Sequence, residues 1–403
     1  MPLTVATGTS AGSAAGHSLT VPSGWTAQVW ASVPGARLMS WTPDGRLLVT
    51  TDRQGTVVSL TPSASPTTAP SQSVLLSGLD RPQGISVSAT PDGGATLVVG
   101  QQSSIDRYTL SANGTAQNHR TLVGSLPTGG LHYGKFVLVD GAKVYYSVGT
   151  STDNSPSDRT GTPQRGTISQ VPLDGGTSTT VAVGVRNGEG LSVAPDGTLF
   201  TAVNQINRAA YPFHGPYGGY ADAFGRTDTD WWLDQVADQI TRVTPGTDLG
   251  WPYCSPDTTH SQPAGALTGI PYVNDPVNNP TGAALDCAAL PPTQAGLAAH
   301  SAPIGFHFVS SAEAARLGLP GQGAIVVAHG SYQRTPPRAP GAFWLPWDSA
   351  TKTLGAPVDL ISGFQNTDGS RWGRSVDAVV GPDGALYVSD DQAGLVYRLG
   401  AGG

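Results

Sequence analysis

Short runs of alternating apolar and polar residues fill this chain, and one phrase punctuates them: a strand, Pro-Asp-Gly or a worn form of it, then a second strand. It reads Trp41-Thr-Pro-Asp44-Gly-Arg-Leu-Leu-Val, Thr90-Pro-Asp92-Gly, Val139-Asp140-Gly-Ala-Lys-Val-Tyr, Ala194-Pro-Asp196-Gly-Thr-Leu-Phe and Gly381-Pro-Asp383-Gly-Ala-Leu-Tyr-Val. Asp-Gly supplies the left-handed backbone of a tight hairpin, and period-two alternation leaves one face of each strand apolar. Most copies continue into a third strand with an apolar or aromatic residue shortly before Arg, as in Ile105-Asp-Arg107-Tyr, Ile240-Thr-Arg242-Val and Val396-Tyr-Arg398-Leu. The unit predicted is a four-stranded antiparallel sheet.

The turn aspartates at 44, 92, 140 and 196 recur at intervals of 48, 48 and 56 residues, close to the length of one propeller blade. A further unit, its turn signature decayed, is placed between Ile304-Gly-Phe-His-Phe and Gly323-Ala-Ile-Val-Val-Ala. The fold class predicted is therefore all-β, a six-bladed β-propeller. The Pro-, Ala-, Asn- and Gly-rich stretch from Cys254 to His300 leaves five or seven blades open. Trp25-Thr-Ala-Gln-Val-Trp-Ala31 is an orphan strand, expected to seal the ring beside residues 376–399. Residues 1–18 read as a disordered tail ahead of one propeller domain over 19–403, with insertions at about 206–234 and 255–299. Trp231-Trp232 in the first insertion is either a lid or sugar platform, or packing against the body.

Composition narrows the function. With 53 Gly, 33 Pro and no long amphipathic helical run, a helical fold is excluded. A net charge of −7 with only three lysines leaves no basic surface for nucleic acid or anionic lipid. No apolar run reaches transmembrane length, so no membrane span is expected, and the start at Met1-Pro-Leu reads as the point where a signal was removed. Cys254 and Cys287 lack metal or redox spacing; a disulfide, and with it a secreted or periplasmic setting, is expected, two separate buried thiols being the alternative.

Polar residues stand out where loops would converge on a channel mouth: His132 in Gly-Gly-Leu-His-Tyr-Gly, Arg186-Asn187 in Val-Arg-Asn-Gly-Glu-Gly, Asn204-Gln205, His300-Ser301, His329-Gly-Ser331, and Arg371 with Arg374. With Leu249-Gly-Trp-Pro-Tyr-Cys254 and Leu386-Tyr-Val-Ser-Asp-Asp391, these phrases resemble the soluble quinoprotein glucose and sorbosone dehydrogenases, and the Ala-His-Ser-Ala-Pro and His-Gly-Ser phrases look closer to the sorbosone-type branch. The resemblance covers about residues 20–400. It implies a six-bladed propeller that uses pyrroloquinoline quinone (PQQ) and Ca²⁺ to oxidise a small-molecule sugar, passing electrons to a quinone, dye or cytochrome.

Residue by residue, the resemblance makes His132 the catalytic base, with Arg186 supporting it. Gln83, Arg186, Asn187, Arg371 and Arg374 become the cofactor-binding set. Asn204, Gln205 and Asp238 become metal ligands. The residue types suit the chemistry: guanidinium forks bind carboxylates, of which PQQ has three, a neutral imidazole accepts a proton near pH 7, and calcium takes oxygen ligands. His300 and His329 read as structural. The lysine that assists PQQ in the glucose-specific branch has no counterpart. Two other classes stay open: a calcium-dependent lactonase using Glu189, Asn187, Asn204 and Asp238, and a propeller that binds a partner or glycan without catalysis.

Overall fold

The computed structural model describes residues 1–111 and 114–401. Six antiparallel sheets follow one another along the chain. Blade one holds Ala36–Trp41, Leu47–Thr51, Thr56–Thr61 and Ser71–Leu76; blade two holds Gly84–Ala89, Ala95–Gly100, Ile105–Leu110 and Ala116–Val123. Blade three holds Val137–Asp140, Lys143–Val148, Thr167–Pro172 and Thr179–Val183, and blade four Gly188–Val193, Leu199–Val203, Asp238–Val243 and Thr293–Leu297. Pro303–Val309, Gly323–Ala328, Gly341–Asp348 and Val358–Ile361 make blade five. Blade six joins Ser375–Val380, Leu386–Asp390 and Leu395–Ala401 to the early strand Trp25–Ser32, which closes the ring as its hydrophobic pattern predicts.

The recurring phrase has a physical explanation at each turn. Gly45, Gly93, Gly197 and Gly384 all take φ between +81° and +82°, a conformation that side-chain-bearing residues rarely adopt. The third-strand arginines reach back to the turn aspartates, Arg242 to Asp196 at 3.1 Å and Arg398 to Asp383 at 2.8 Å. Between blades, the apolar faces merge into shared clusters. Trp30, Met39, Val49 and Tyr387 join blades six and one; Tyr145, Ile168, Leu191 and Val203 join three and four.

Two expectations are corrected. Residues 1–18 are ordered: Thr4–Val5 adds a parallel strand to Trp25–Ser32, Ala6 and Ala14 are buried, and His17 stacks on Trp372 at 4.8 Å. Composition misled because Ala, Ser, Thr and Gly suffice where a sheet edge offers backbone partners, as Val29 O does to Ala6 N at 2.9 Å. The region 255–299 is not wholly insertion either, since Thr293–Leu297 is the outer strand of blade four and Thr268–Ile270 pairs beyond it. Cys254 and Cys287 are joined by a disulfide that staples the remainder. No helix among the described residues is long and apolar enough to cross a membrane.

Deleting residues 1–18 exposes the Trp372 face and the edge of the closing strand. It is expected to lower unfolding free energy by about 2 kcal/mol, measured as a lower urea midpoint; equal midpoints for the two forms would assign the segment no structural role.

Candidate functional site

Because the turn between first and second strands lies at one end of each blade, the start of the inner strand and the end of the second strand meet at the other end. There they surround a cavity of about 430 Å³. Blade three supplies His132, blade four Arg186, Asn187, Asn204 and Gln205, blade five Ala302 and His329, and blade six Arg374.

His132 lies in an irregular segment ahead of its inner strand. The Thr150 hydroxyl donates to the Thr152 carbonyl at 2.8 Å, so it must accept the bond from His132 Nδ1–H, also at 2.8 Å. That fixes the tautomer and leaves Nε2 as the basic nitrogen, with no partner among the described residues. Burial, then the Arg186 guanidinium, holds the imidazole well below its ordinary pKa. Gly149 makes room for it: a Cβ there would stand 2.6 Å from His132 Cβ and 3.0 Å from Asn187 Oδ1.

Arg186 is 2% exposed and fixed on three sides. Nη2 meets Asp153 Oδ1 at 2.5 Å, Nε meets the Asp153 carbonyl at 3.2 Å, and Nη1 meets the Asn204 carbonyl at 3.1 Å. Next to it, Asn187 donates to Glu189 Oε1 at 2.6 Å, and burial raises the Glu189 carboxyl above its usual range. Asp238 accepts the Gln205 and Ala302 amides, each at 2.8 Å, and burial lifts it to about 6. Three buried oxygens on this wall have no donor among the described residues: Asn204 Oδ1, Gln205 Oε1 and Glu189 Oε2. Buried acceptors are rarely left bare, and an all-oxygen set of this kind suits a hard cation.

Across the cavity, His329 Nε2 donates to Asp391 Oδ1 at 3.0 Å, yet burial takes the imidazole down to about 4. Asp391 also pairs with Arg37 at 2.8 Å. Arg374 gives Nε to the His329 carbonyl at 3.0 Å and Nη2 to the Gly330 carbonyl at 3.3 Å. His300 donates Nε2–H to the Trp232 carbonyl at 3.1 Å.

The structure thus brings His132, Arg186, Asn187, Asn204, Gln205, Asp238 and Arg374 to one cavity. Two residues of the expected cofactor set stand outside its walls. Gln83 accepts from Arg37 Nη2 at 2.9 Å. The Arg371 guanidinium is taken up by Gln365 Oε1 and the carbonyls of Ser331 and Arg338, so it braces the 331–338 loop instead of facing the cavity. Trp231 and Trp232 are buried against the body, not presented as a platform. Sequence reasoning missed Asp153, which latches Arg186, and the Arg37–Asp391–His329 chain. It took His329 for structural, though His329 follows its second strand in the position that Asn204 occupies in blade four.

Comparison with known proteins follows the same architecture. The chain superimposes on the holo pyranose dehydrogenase PQQ domain from Coprinopsis cinerea with a TM-score of 0.77, at 19% identity over 98% of this chain and 100% of that one. The calcium structure of the Trichoderma reesei Carbohydrate-Active Enzymes Family AA12 protein gives 0.74 at 18% identity, covering 95% and 97%. The PQQ-bound aldose sugar dehydrogenase of Streptomyces coelicolor gives 0.55 at 13% identity, covering 94% and 99%. At these identities the likeness establishes the fold, and it does not single out the sorbosone-type branch. An uncharacterized protein of Borreliella burgdorferi is 31% identical over 103 residues, which span 26% of this chain and 27% of that protein. The TrAA12-like family profile matches residues 19–401, and the chain belongs to that family.

Proposed function

We propose that this chain is a PQQ- and calcium-dependent sugar dehydrogenase, oxidising an anomeric hydroxyl or aldehyde hydrate and passing electrons to an external quinone, dye or cytochrome. One observation carries the reading: a half-buried, neutral imidazole with its basic nitrogen free shares a cavity with two arginines and three oxygens that lack a donor among the described residues. Such a cavity is of the size small-molecule sites usually have. A pyranose dehydrogenase domain and an AA12 protein of the same fold, described with PQQ and calcium respectively, support it.

In this reading Arg186, Arg374 and Asn187 would hold PQQ, and the Asn204 and Gln205 side-chain oxygens, with Asp238, would hold calcium. Bound PQQ supplies the hydride acceptor. His132 Nε2 takes the hydroxyl proton, and the Nδ1–H bond to Thr150 keeps the ring from turning as the charge forms. Arg186 serves twice: after burial, it helps keep His132 unprotonated before the reaction, and it supplies fixed positive charge to a site where negative charge develops. The disulfide supports a secreted or otherwise extracytoplasmic setting.

Titrating the purified protein with PQQ, with and without Ca²⁺, should give a saturable absorbance change and aldose-dependent dye reduction. The absence of any saturable change at micromolar PQQ would refute the assignment. Two substitutions separate the roles. His132→Ala should cut kcat by roughly 10²- to 10⁴-fold with PQQ affinity unchanged, whereas Arg374→Ala should weaken PQQ binding by about 10- to 100-fold.

The pH dependence follows from the direction of the His132 shift. A base acts when unprotonated, and this imidazole protonates well below 6.5. The acid limb of kcat/KM should therefore fall well below 6.5, with no loss between pH 7 and 6. A limb centred at 6.5 would place the base elsewhere.

A further inference from the structure

The segment that carries His132 has no strand or helix of its own and contains Gly129, Gly130 and Gly134, a composition that leaves backbone loose. Two cations hold it. Lys135, fully buried, donates Nζ to the carbonyls of Pro127 at 3.1 Å and Tyr133 at 2.6 Å. Arg165, arriving from the loop ahead of the third strand of blade three, donates Nη1 to the Gly129 carbonyl at 3.1 Å and Nη2 to the Thr128 carbonyl at 2.6 Å. Among the described residues neither cation forms an ion pair. Burying an ammonium is costly unless its donors are met, so Lys135 is bound to this segment as firmly as the segment is bound to it.

We propose that Lys135 and Arg165 are positioning residues for the proton-transfer step, clamping the His132 segment through four of its carbonyls and adding positive charge behind the imidazole. This rests on His132 being the base of the reading above. The clamp complements the two contacts His132 makes directly, its amide to the Thr150 carbonyl at 3.2 Å and its ring to the Thr150 hydroxyl. A ring held only by a hydroxyl and a glycine-rich loop could swing; a loop pinned on both sides of the histidine cannot. The charged groups around the ring are Arg186, backed by Asp153, and Arg165; Lys135 sits behind with Asp80 near it, and Tyr133 turns to Asp52 and Arg81. Removing Arg165 therefore takes away both a tether and a charge that opposes protonation of His132.

The test uses Arg165→Met, Arg165→Lys and Lys135→Met in the full chain. In the protein without cofactor, long-range ¹H–¹⁵N NMR follows the His132 ring. Arg165→Met should raise its titration midpoint and broaden its signals. Arg165→Lys should keep the wild-type midpoint while broadening remains. With PQQ, Ca²⁺ and sugar, Arg165→Met and Lys135→Met should lower kcat by roughly 10- to 100-fold, with KM for the sugar and PQQ affinity within about twofold. Wild-type ring signals and midpoint in Arg165→Met, or an unchanged kcat in both Met variants, would overturn the clamp. Should Lys135→Met not fold, Arg165, which is partly exposed, decides the matter alone. The NMR readout needs no turnover, so the two failures are distinguishable: absent PQQ-dependent activity in the wild type counts against the dehydrogenase reading, whereas unchanged ring signals in Arg165→Met count against the clamp itself.

Discussion

A ring of sheets holds its axis only if first and last blades are joined, and here the joint is seven cross-strand pairs between Trp25–Ser32 and Leu395–Ala401. Everything at the mouth depends on it. Blade six carries Arg374 and Asp391, blade one carries Arg37, and the Arg37–Asp391 pair spans the seam. An open seam would expose two strand edges, and it would also part the charge chain that ends on His329. The small residues of the N-terminal segment make sense in this light. They cover the outer edge of the closing strand beside Val29, and His17 closes the cover by stacking on Trp372.

The mouth is polar and tightly bonded, yet its bonding is uneven. Guanidiniums and imidazoles are matched almost atom for atom: Arg186 to Asp153, Arg374 to two carbonyls, His329 to Asp391. Among the described residues the deficit falls mainly on acceptors, at Asn204, Gln205 and Glu189, with Arg37 Nε the unmatched donor of the charge chain. An unmade buried bond costs a folded protein more than a made one returns, so a wall with three bare oxygens is unfavourable to the free protein and favourable to whatever cation or donor occupies it. The axial channel behind the cavity, about 250 Å³ and lined by inner strands from all six blades, shares only Glu189 with the mouth. That carboxyl is the floor between the two spaces, and burial from both sides is what raises it.

The blade count and the ring closure were legible because they rest on local chemistry repeated: Asp-Gly for a left-handed turn, alternation for a half-buried strand. Where the turn had decayed, in blade five, the apolar runs alone carried the reading. The site was legible in its residue types and, through family resemblance, in most of its members. Its logic was less so. Arg371 and Arg374 are three residues apart and alike in sequence, but Arg374 directly precedes an inner strand and so faces the axis, whereas Arg371 falls in the loop before it and turns to Ser331 and Arg338. Asp153 carried no signal, since one aspartate in a Ser/Thr-rich loop looks like any other until Arg186 is placed beside it.

That loop also gives the insertions of blade four a purpose beyond cover. Asp153 Oδ1 accepts from Arg186, from the Asn207 amide and from the Asn207 side chain, and its carbonyl accepts from Trp251 Nε1 at 3.0 Å. Asn207 opens the first insertion, and Trp251 lies just ahead of the second. The adjacent Asn154 bonds Asp275 at 3.1 Å and takes a bond from Asn278, both inside the second insertion's disulfide loop. One aspartate therefore gathers both insertions and the central arginine at a single point. A guanidinium that is 2% exposed must have its charge met by something equally fixed. The cross-linked insertion provides that fixity from outside the ring, so the disulfide, though absent from the cavity wall, bears on a guanidinium that, after burial, helps hold His132 below its ordinary pKa.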